Sequence, residues 1–310
     1  MLLDIKPLTF LVNFQNFPVL VIDTFLAQKS LSDRIKVLIK ILLFTRMASN
    51  EHKKLYQDYS RRVDSLSWVK YGSDGTRVHL YDNKNSTIGK LPKVFNPEQY
   101  SYELEARQRV GDLCPKIINT CSEDGYILES KISLHSYDKS LTKALELLKE
   151  RLFAPNLLNI SEYLSRFDHV KHSRLVCEVA INYGLNEVVV SICHGDFWRG
   201  NILESPDNNI VILDWEYCGV RIQTYDAWFL IFSQWAAEKR HCDSEYYSQL
   251  QEILNKFYVS DSDLTRIKVL HMIHLFERFS TNLFFGKSSD EPEMKFLETE
   301  LISVTKELSL

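Results

Sequence analysis

Glycine and proline are scarce in this chain, ten and eight of its 310 residues. That scarcity excludes a linker or a low-complexity protein, and 45% hydrophobic residues describe an ordinary globular chain. No internal repeat is found. There is no run of lysines or arginines, and the formal net charge is −4, which argues against nucleic acid as the main partner. The six cysteines, at 114, 121, 177, 193, 218 and 242, form no C-x-x-C pair, so reduced cysteines in a cytoplasmic protein are expected rather than disulfides or zinc. The N-terminal region offers no long apolar stretch: Ile35 to Phe44 spans ten residues and contains Lys40, too short to cross a bilayer. Met1 to Phe10 lacks the basic region of a secretory signal.

What the chain does have is chemistry concentrated in one stretch. His194-Gly195-Asp196-Phe197-Trp198-Arg199-Gly200-Asn201 is followed by the turn Ser205 to Asn209, the apolar run Ile210 to Leu213, and Asp214-Trp215-Glu216. Phosphoryl transfer asks for positioning and charge neutralisation: a carboxylate near the attacking hydroxyl and oxygen ligands for magnesium. Asp196, Asn201 and Asp214 can supply that set. One loop can turn the carboxylate of Asp196 toward an acceptor and the amide oxygen of Asn201 toward a metal, and a hairpin would return Asp214 over the same loop. Magnesium takes few protein oxygens alongside substrate phosphates, which suits one amide and one or two carboxylates.

The pattern H-G-D-x-x-x-x-N, a buried strand and D-W-E resembles the aminoglycoside phosphotransferase and choline kinase superfamily, which shares its architecture with protein kinases. The resemblance implies an α+β, two-lobed protein-kinase-like fold, with a small β-rich N-lobe and a larger, mostly helical C-lobe. It also implies ATP and Mg2+ as cofactors, Asp196 as catalytic base, Asn201 and Asp214 as magnesium ligands, and His194 as organiser of the loop. Asp226 resembles the aspartate that holds the catalytic-loop backbone. Glu216 falls beside the metal or the acceptor, and Trp215 and Tyr217 become candidate substrate contacts. The domain reading is residues 1–46 as an N-terminal extension, 47–130 as the nucleotide-binding N-lobe, and 131–310 as the C-lobe with catalytic loop and acceptor site.

Within the N-lobe, strands are expected at Trp68–Tyr71 and Thr76–Tyr81. They are joined by Gly72-Ser73-Asp74-Gly75, whose glycines would let backbone amides approach phosphates, although an ordinary hairpin turn explains them equally well. Lys93, in a segment from Ile88 to Phe95 that also holds Lys90, is assigned to the α- and β-phosphates. Pro92 nearby argues for an edge strand or a distortion. A helix from Pro97 to Val110 presents Glu103 and Glu105, of which Glu105 is preferred as the partner of the lysine and Glu103 is read as solvated. Tyr126 to Ser130 should lead into the hinge, where backbone groups of Glu129 to Lys131 would meet the adenine.

Helices are expected over Leu141–Leu152, Arg174–Tyr183, Asp226–Ala237, Tyr246–Phe257, Leu264–Phe285 and Pro292–Leu308. His271 and His274 are read as structural or surface histidines. A helix over Leu31–Arg46, capped by Ser32, is expected to dock on the N-lobe in preference to lying on a membrane surface. Nine residues separate Glu216 from Asp226 and no A-P-E segment follows, so no long activation loop is present to cradle a polypeptide. The expected acceptor is therefore a hydroxyl of a small molecule. D-W-E-Y resembles choline and ethanolamine kinases, and H-G-D is the form shared with aminoglycoside and sugar kinases. The reading leans to an amino alcohol, with a sugar or aminoglycoside as the alternative and a nucleotide-binding scaffold without turnover as the competing class. A quaternary ammonium would use the rings of Trp215, Tyr217, Trp228 or Trp235.

Overall fold

The computed structural model describes residues 10–12, 62, 65–66, 68–71, 77–92, 95–132, 141–204, 209–258 and 263–309. The helix expected over Leu31–Arg46 lies outside them. The chain divides into two compact units, residues 1–97 with 115–133, and residues 98–114 with 134–310.

The first unit is built on one antiparallel sheet. Its strands are β1 (Phe10–Val12), β2 (Trp68–Tyr71), β3 (Arg77–Asp82), β4 (Thr87–Pro92), β5 (Ile117–Cys121) and β6 (Tyr126–Ser130), in the order β1-β2-β3-β4-β6-β5. Residues 10–12 of the N-terminal extension therefore supply an edge strand. Val78, Leu80 and Tyr126 pack with Leu66 into a small core. Asp82 shapes the β3–β4 connection by accepting the Asn85 N–H at 3.0 Å, and it also accepts the Ser65 N–H at 3.0 Å. Pro92, at the last described position of β4, has no N–H to give to a ladder.

The second unit holds eight described helices: α1 (Pro97–Val110), α2 (Leu141–Leu152), α3 (Ile160–Ser165), α4 (Ser173–Asn182), α5 (Tyr225–Glu238), α6 (Ser244–Phe257), α7 (Leu264–Phe284) and α8 (Pro292–Leu308). A three-stranded antiparallel sheet, in the order β11 (Gly219–Ile222), β8 (Glu187–Cys193), β7 (Asn156–Asn159), and a hairpin of β9 (Ile202–Glu204) with β10 (Ile210–Ile212) complete it. Side-chain caps start the helices where the sequence supplies aspartate: Asp243 accepts the Tyr246 N–H at 3.0 Å and Asp263 the Arg266 N–H at 2.7 Å. Pro292 occupies the first turn of α8, where its missing N–H is not needed.

Helix α7 is buried nearly all round from Ile267 to Asn282, the pattern of a helix inside a core rather than on its surface. It nevertheless carries His271, His274, Glu277 and Arg278. His271 accepts from the Trp228 indole N–H at 2.9 Å, and its Nδ1 lies 3.0 Å from the Tyr246 hydroxyl. His274 meets the Thr224 hydroxyl at 2.8 Å. Burial, with His274 as neighbour, lowers the pKa of His271 to about 3, so the ring is neutral. Both histidines are fully buried and structural. All six cysteines are free thiols, three buried and three half-buried. Among the described residues no helix is long and apolar enough to cross a membrane.

Candidate active site

Strand β8 delivers the loop His194 to Asn201 at its C-terminal end. Asp226, in the first turn of α5, accepts the His194 N–H at 2.8 Å on one carboxylate oxygen and the Gly195 N–H at 2.9 Å on the other. It is thus a backbone clamp, as the sequence pattern implied. Burial pushes the Asp226 carboxyl above the usual carboxylate range, with His194 and the two backbone donors opposing the shift. Gly195 has φ +80, and a Cβ there would lie 2.0 Å from the Tyr217 carbonyl oxygen. Only glycine fits that turn.

His194 ties the loop to the end of β10. Its Nε2–H donates to the Leu213 carbonyl at 2.7 Å, and its Nδ1 faces the Asp196 N–H at 3.3 Å. Burial lowers its pKa, which keeps the ring neutral and able to serve both partners. The ring also packs edge-on against Trp215, centroids 4.6 Å apart. The Leu213 N–H in turn donates to the Asn201 carbonyl at 2.8 Å, so the residue before Asp214 is fastened to the same loop. Asp214 itself sits at φ 56, ψ 64, a left-handed conformation that aspartate tolerates better than most residues.

The carboxylate of Asp196 is held from both sides. Asn201 Nδ2 donates to its Oδ2 at 3.0 Å and to its backbone carbonyl at 3.0 Å, while Arg278 Nη2 donates to its Oδ1 at 3.0 Å. Because Asn201 uses its amide N–H groups on Asp196, its Oδ1 is the atom left to face a cation. An amide oxygen and a carboxylate form a donor set that suits magnesium, so Asn201 and Asp214 could hold that ion.

The three residues after Asp214 are buried. Trp215 is fully enclosed and its indole N–H donates to the Ile212 carbonyl at 2.8 Å. Glu216 and Tyr217 are buried too, and Gln99 of α1 donates to the Glu216 carbonyl at 2.9 Å and to the Cys218 carbonyl. The Arg278 guanidinium lies over the Tyr217 ring at 4.9 Å and over Phe229 at 4.4 Å. Arg221 of β11 donates to the Tyr217 carbonyl at 3.0 Å and to Glu277 at 2.6 Å.

In the first unit, Lys90 on β4 is buried and forms an ion pair with Glu129 on β6 at 3.0 Å. Lys90 stands opposite Ile127, and Glu129 opposite Ile88, so the pair is a diagonal cross-strand contact on one face. Lys93, Gly72 and Gly75 lie outside the described residues. One expectation is corrected here, that Glu103 is solvated. Glu105 is an exposed side chain paired with Arg109 at 2.5 Å, whereas Glu103 is fully buried and pairs with Arg107 at 3.0 Å. The helix turns Glu103 and Arg107 inward because they lie four residues apart on the face that carries Ala106 and Val110 into the core. At the expected hinge, the Ser130 N–H donates to the Lys116 carbonyl at 2.9 Å and the Lys131 N–H to the Ser86 carbonyl at 2.8 Å. Those two amides belong to strand pairing and are not open to an adenine, while the Glu129 side chain is engaged with Lys90.

Residues 134–253, which include the whole of the loop and Asp226, match the model of the phosphotransferase enzyme family. That match spans less than half of the chain and is a likeness to the superfamily of aminoglycoside phosphotransferases and choline kinases. Solved structures of that superfamily share the chain's fold. A choline kinase from Streptococcus pneumoniae is 16% identical with a TM-score of 0.55, covering 84% of this chain and 99% of its own. Aminoglycoside phosphotransferase APH(4)-Ia is 10% identical with a TM-score of 0.55, covering 82% and 98%. An ethanolamine kinase from Plasmodium vivax is 13% identical with a TM-score of 0.51, covering 84% and 91%. No curated protein sequence matches the chain. The superfamily's mixed architecture, a β-rich N-terminal part and a helical C-terminal part, is the one described above.

The sequence did not single out Arg278, and Lys90 was set aside for Lys93. For Arg278 the signal was present: Glu277 and Arg278 form a charged pair inside the apolar run Met272 to Phe279, and buried charges need partners. For Lys90 the signal was its place in the strand, before the proline that ends it.

Proposed function

We propose that this protein transfers the γ-phosphate of ATP to a hydroxyl of a small molecule. The observation that carries the reading is the fixed Asp196 carboxylate, gripped by Asn201 and Arg278 on a loop that Asp226 and His194 hold by the backbone. Asp196 takes the role of base and orients the acceptor hydroxyl; Asn201 and Asp214 take that of magnesium ligands. Magnesium, when bound, supplies charge neutralisation on the phosphates. Lys90, steadied by Glu129, is the first unit's lysine for the nucleotide phosphates. A solved structure of a superfamily member in complex with AMP supports nucleotide use in this fold.

The acceptor divides two readings. The D-W-E-Y stretch supports an amino alcohol. Against it, Trp215, Trp228 and Trp235 are enclosed in the core, and the Tyr217 ring already carries the Arg278 guanidinium. Trp198, two residues after Asp196 in the loop, is 43% exposed, a surface that suits the apolar face of a sugar. This favours a neutral polyhydroxylated acceptor. The test is transfer of labelled γ-phosphate from Mg-ATP to choline, ethanolamine, free hexoses and an aminoglycoside. Turnover of a sugar supports the second reading, turnover of either amino alcohol the first, and phosphorylation of none of them with no ATP hydrolysis would remove the proposal.

A further inference from the structure

Arg278 lies within the longest of the described helices, its side chain only 7% exposed, and its guanidinium serves two acceptors at once. Nη1 donates to the Gly195 carbonyl at 3.1 Å and Nη2 to the Asp196 carboxylate at 3.0 Å. Its flat face rests on Phe229 and Tyr217. Glu277, the residue before it, pairs with Arg221, whose Nη2 donates to the Tyr217 carbonyl. That carbonyl is the atom a Cβ on Gly195 would strike. Two adjacent residues of α7 therefore hold both sides of the turn that aims Asp196.

We infer that Arg278 is a positioning residue for phosphotransfer, fixing the Asp196 carboxylate and the Gly195 turn together from the core helix. The inference rests on the phosphotransfer reading above. A base carried on a loop needs outside support to stay within about 0.5 Å of its productive position. Asn201 fixes one oxygen of Asp196, and Arg278 fixes the other along with the preceding carbonyl. Burial alone would favour loss of the guanidinium's proton, but Asp196 facing it raises its pKa, so the charge is permanent. A planar fork can reach both acceptors in parallel, while an ammonium on a flexible stem makes a point contact. A buried ion pair that served stability alone would contribute little net and would have no reason to select the carboxylate of this loop.

The experiment is a double-mutant cycle between Arg278→Lys and Asp196→Asn. It uses single-turnover transfer of labelled γ-phosphate from Mg-ATP to the best acceptor of the panel, or to water where none is used. In the wild-type background Arg278→Lys should lower kcat about 10- to 100-fold, the scale of an ångström-sized misplacement, with KM for ATP within about twofold. In the Asp196→Asn background the same change should alter kcat by less than about threefold, because the group it positions is gone. A merely structural arginine would lower kcat equally in both backgrounds, and that result overturns the inference. So does a folded Arg278→Lys enzyme with wild-type kcat. Should Arg278→Lys fail to fold, Phe229→Leu removes one ring beneath the guanidinium without touching a hydrogen bond. It should then give a smaller loss that likewise disappears in Asp196→Asn, and an equal loss in both backgrounds contradicts the inference. If the wild-type enzyme transfers no phosphate, it is the phosphotransfer reading that fails; if Asp196→Asn retains wild-type turnover, there is no base for Arg278 to position and the inference fails with it; if Asp196→Asn is impaired and Arg278→Lys is silent, only the positioning role fails.

Discussion

At the scale of single residues, the site depends on a few positions with no freedom to change. Gly195 combines a left-handed φ with a backbone oxygen where its Cβ would be. Gly195→Ala should therefore cost more than the ~1 kcal/mol of the left-handed conformation alone, since the Tyr217 segment must also move. A thermal melt together with activity of the surviving folded fraction would show it, and a wild-type melt would mean the turn is not as drawn. Lys90 and Lys93 make a second residue-scale test. Lys90→Ala should raise KM for ATP by tenfold or more, on the order of the 1.5–3 kcal/mol of a charge-assisted hydrogen bond, and Lys93→Ala should do less. The reverse order would return the role to Lys93. These positions also show where sequence and structure part. The placing of Asp196, Asn201 and Asp214 near one another was legible because their spacing is local to one loop and its return. The burial of Glu103 and of Lys90 was not, because it depends on which face of a strand or helix meets the core, and short segments of mixed residues do not encode that in their periodicity.

At the scale of elements, the longer helices were legible almost to the residue because their apolar spacing and caps are local signals: Leu141–Leu152 and Pro292–Leu308 coincide with expectation, α7 ends one residue early, and only the short α3 was not expected among the described helices. Strands β7, β8 and β11 were not anticipated as one sheet, since pairing between segments as far apart in sequence as Asn159 and Glu187 leaves little trace in either segment. Helix α7 carries an element-scale prediction. His271, with a pKa of about 3 against an ordinary 6.5, is neutral in the folded protein and takes up a proton on unfolding. Its contribution to stability is complete above pH 6.5 and is lost as the pH falls toward 3. His274 and His194, also lowered by burial, add in the same direction. The melting temperature should thus fall steadily from pH 7 to pH 5, a range set by the ordinary histidine pKa of roughly 6.5, and His271→Gln should flatten the slope even if it lowers the whole curve. A slope unchanged by that substitution would mean the histidine is not held neutral.

At the scale of the whole molecule, the first unit holds the buried Lys90–Glu129 pair and the second holds the Asp196 carboxylate fixed by Asn201, and the proposed phosphotransfer gives each a role. The most direct measurement of the central claim is transfer of labelled γ-phosphate by wild type and Asp196→Asn, with and without magnesium, beside calorimetric titration of Mg-ATP. The account predicts turnover by wild type that disappears on chelation, and a loss of about 10²- to 10⁴-fold in Asp196→Asn with nucleotide affinity retained. Turnover by Asp196→Asn within a factor of a few of wild type, or transfer that continues undiminished without magnesium, would contradict it.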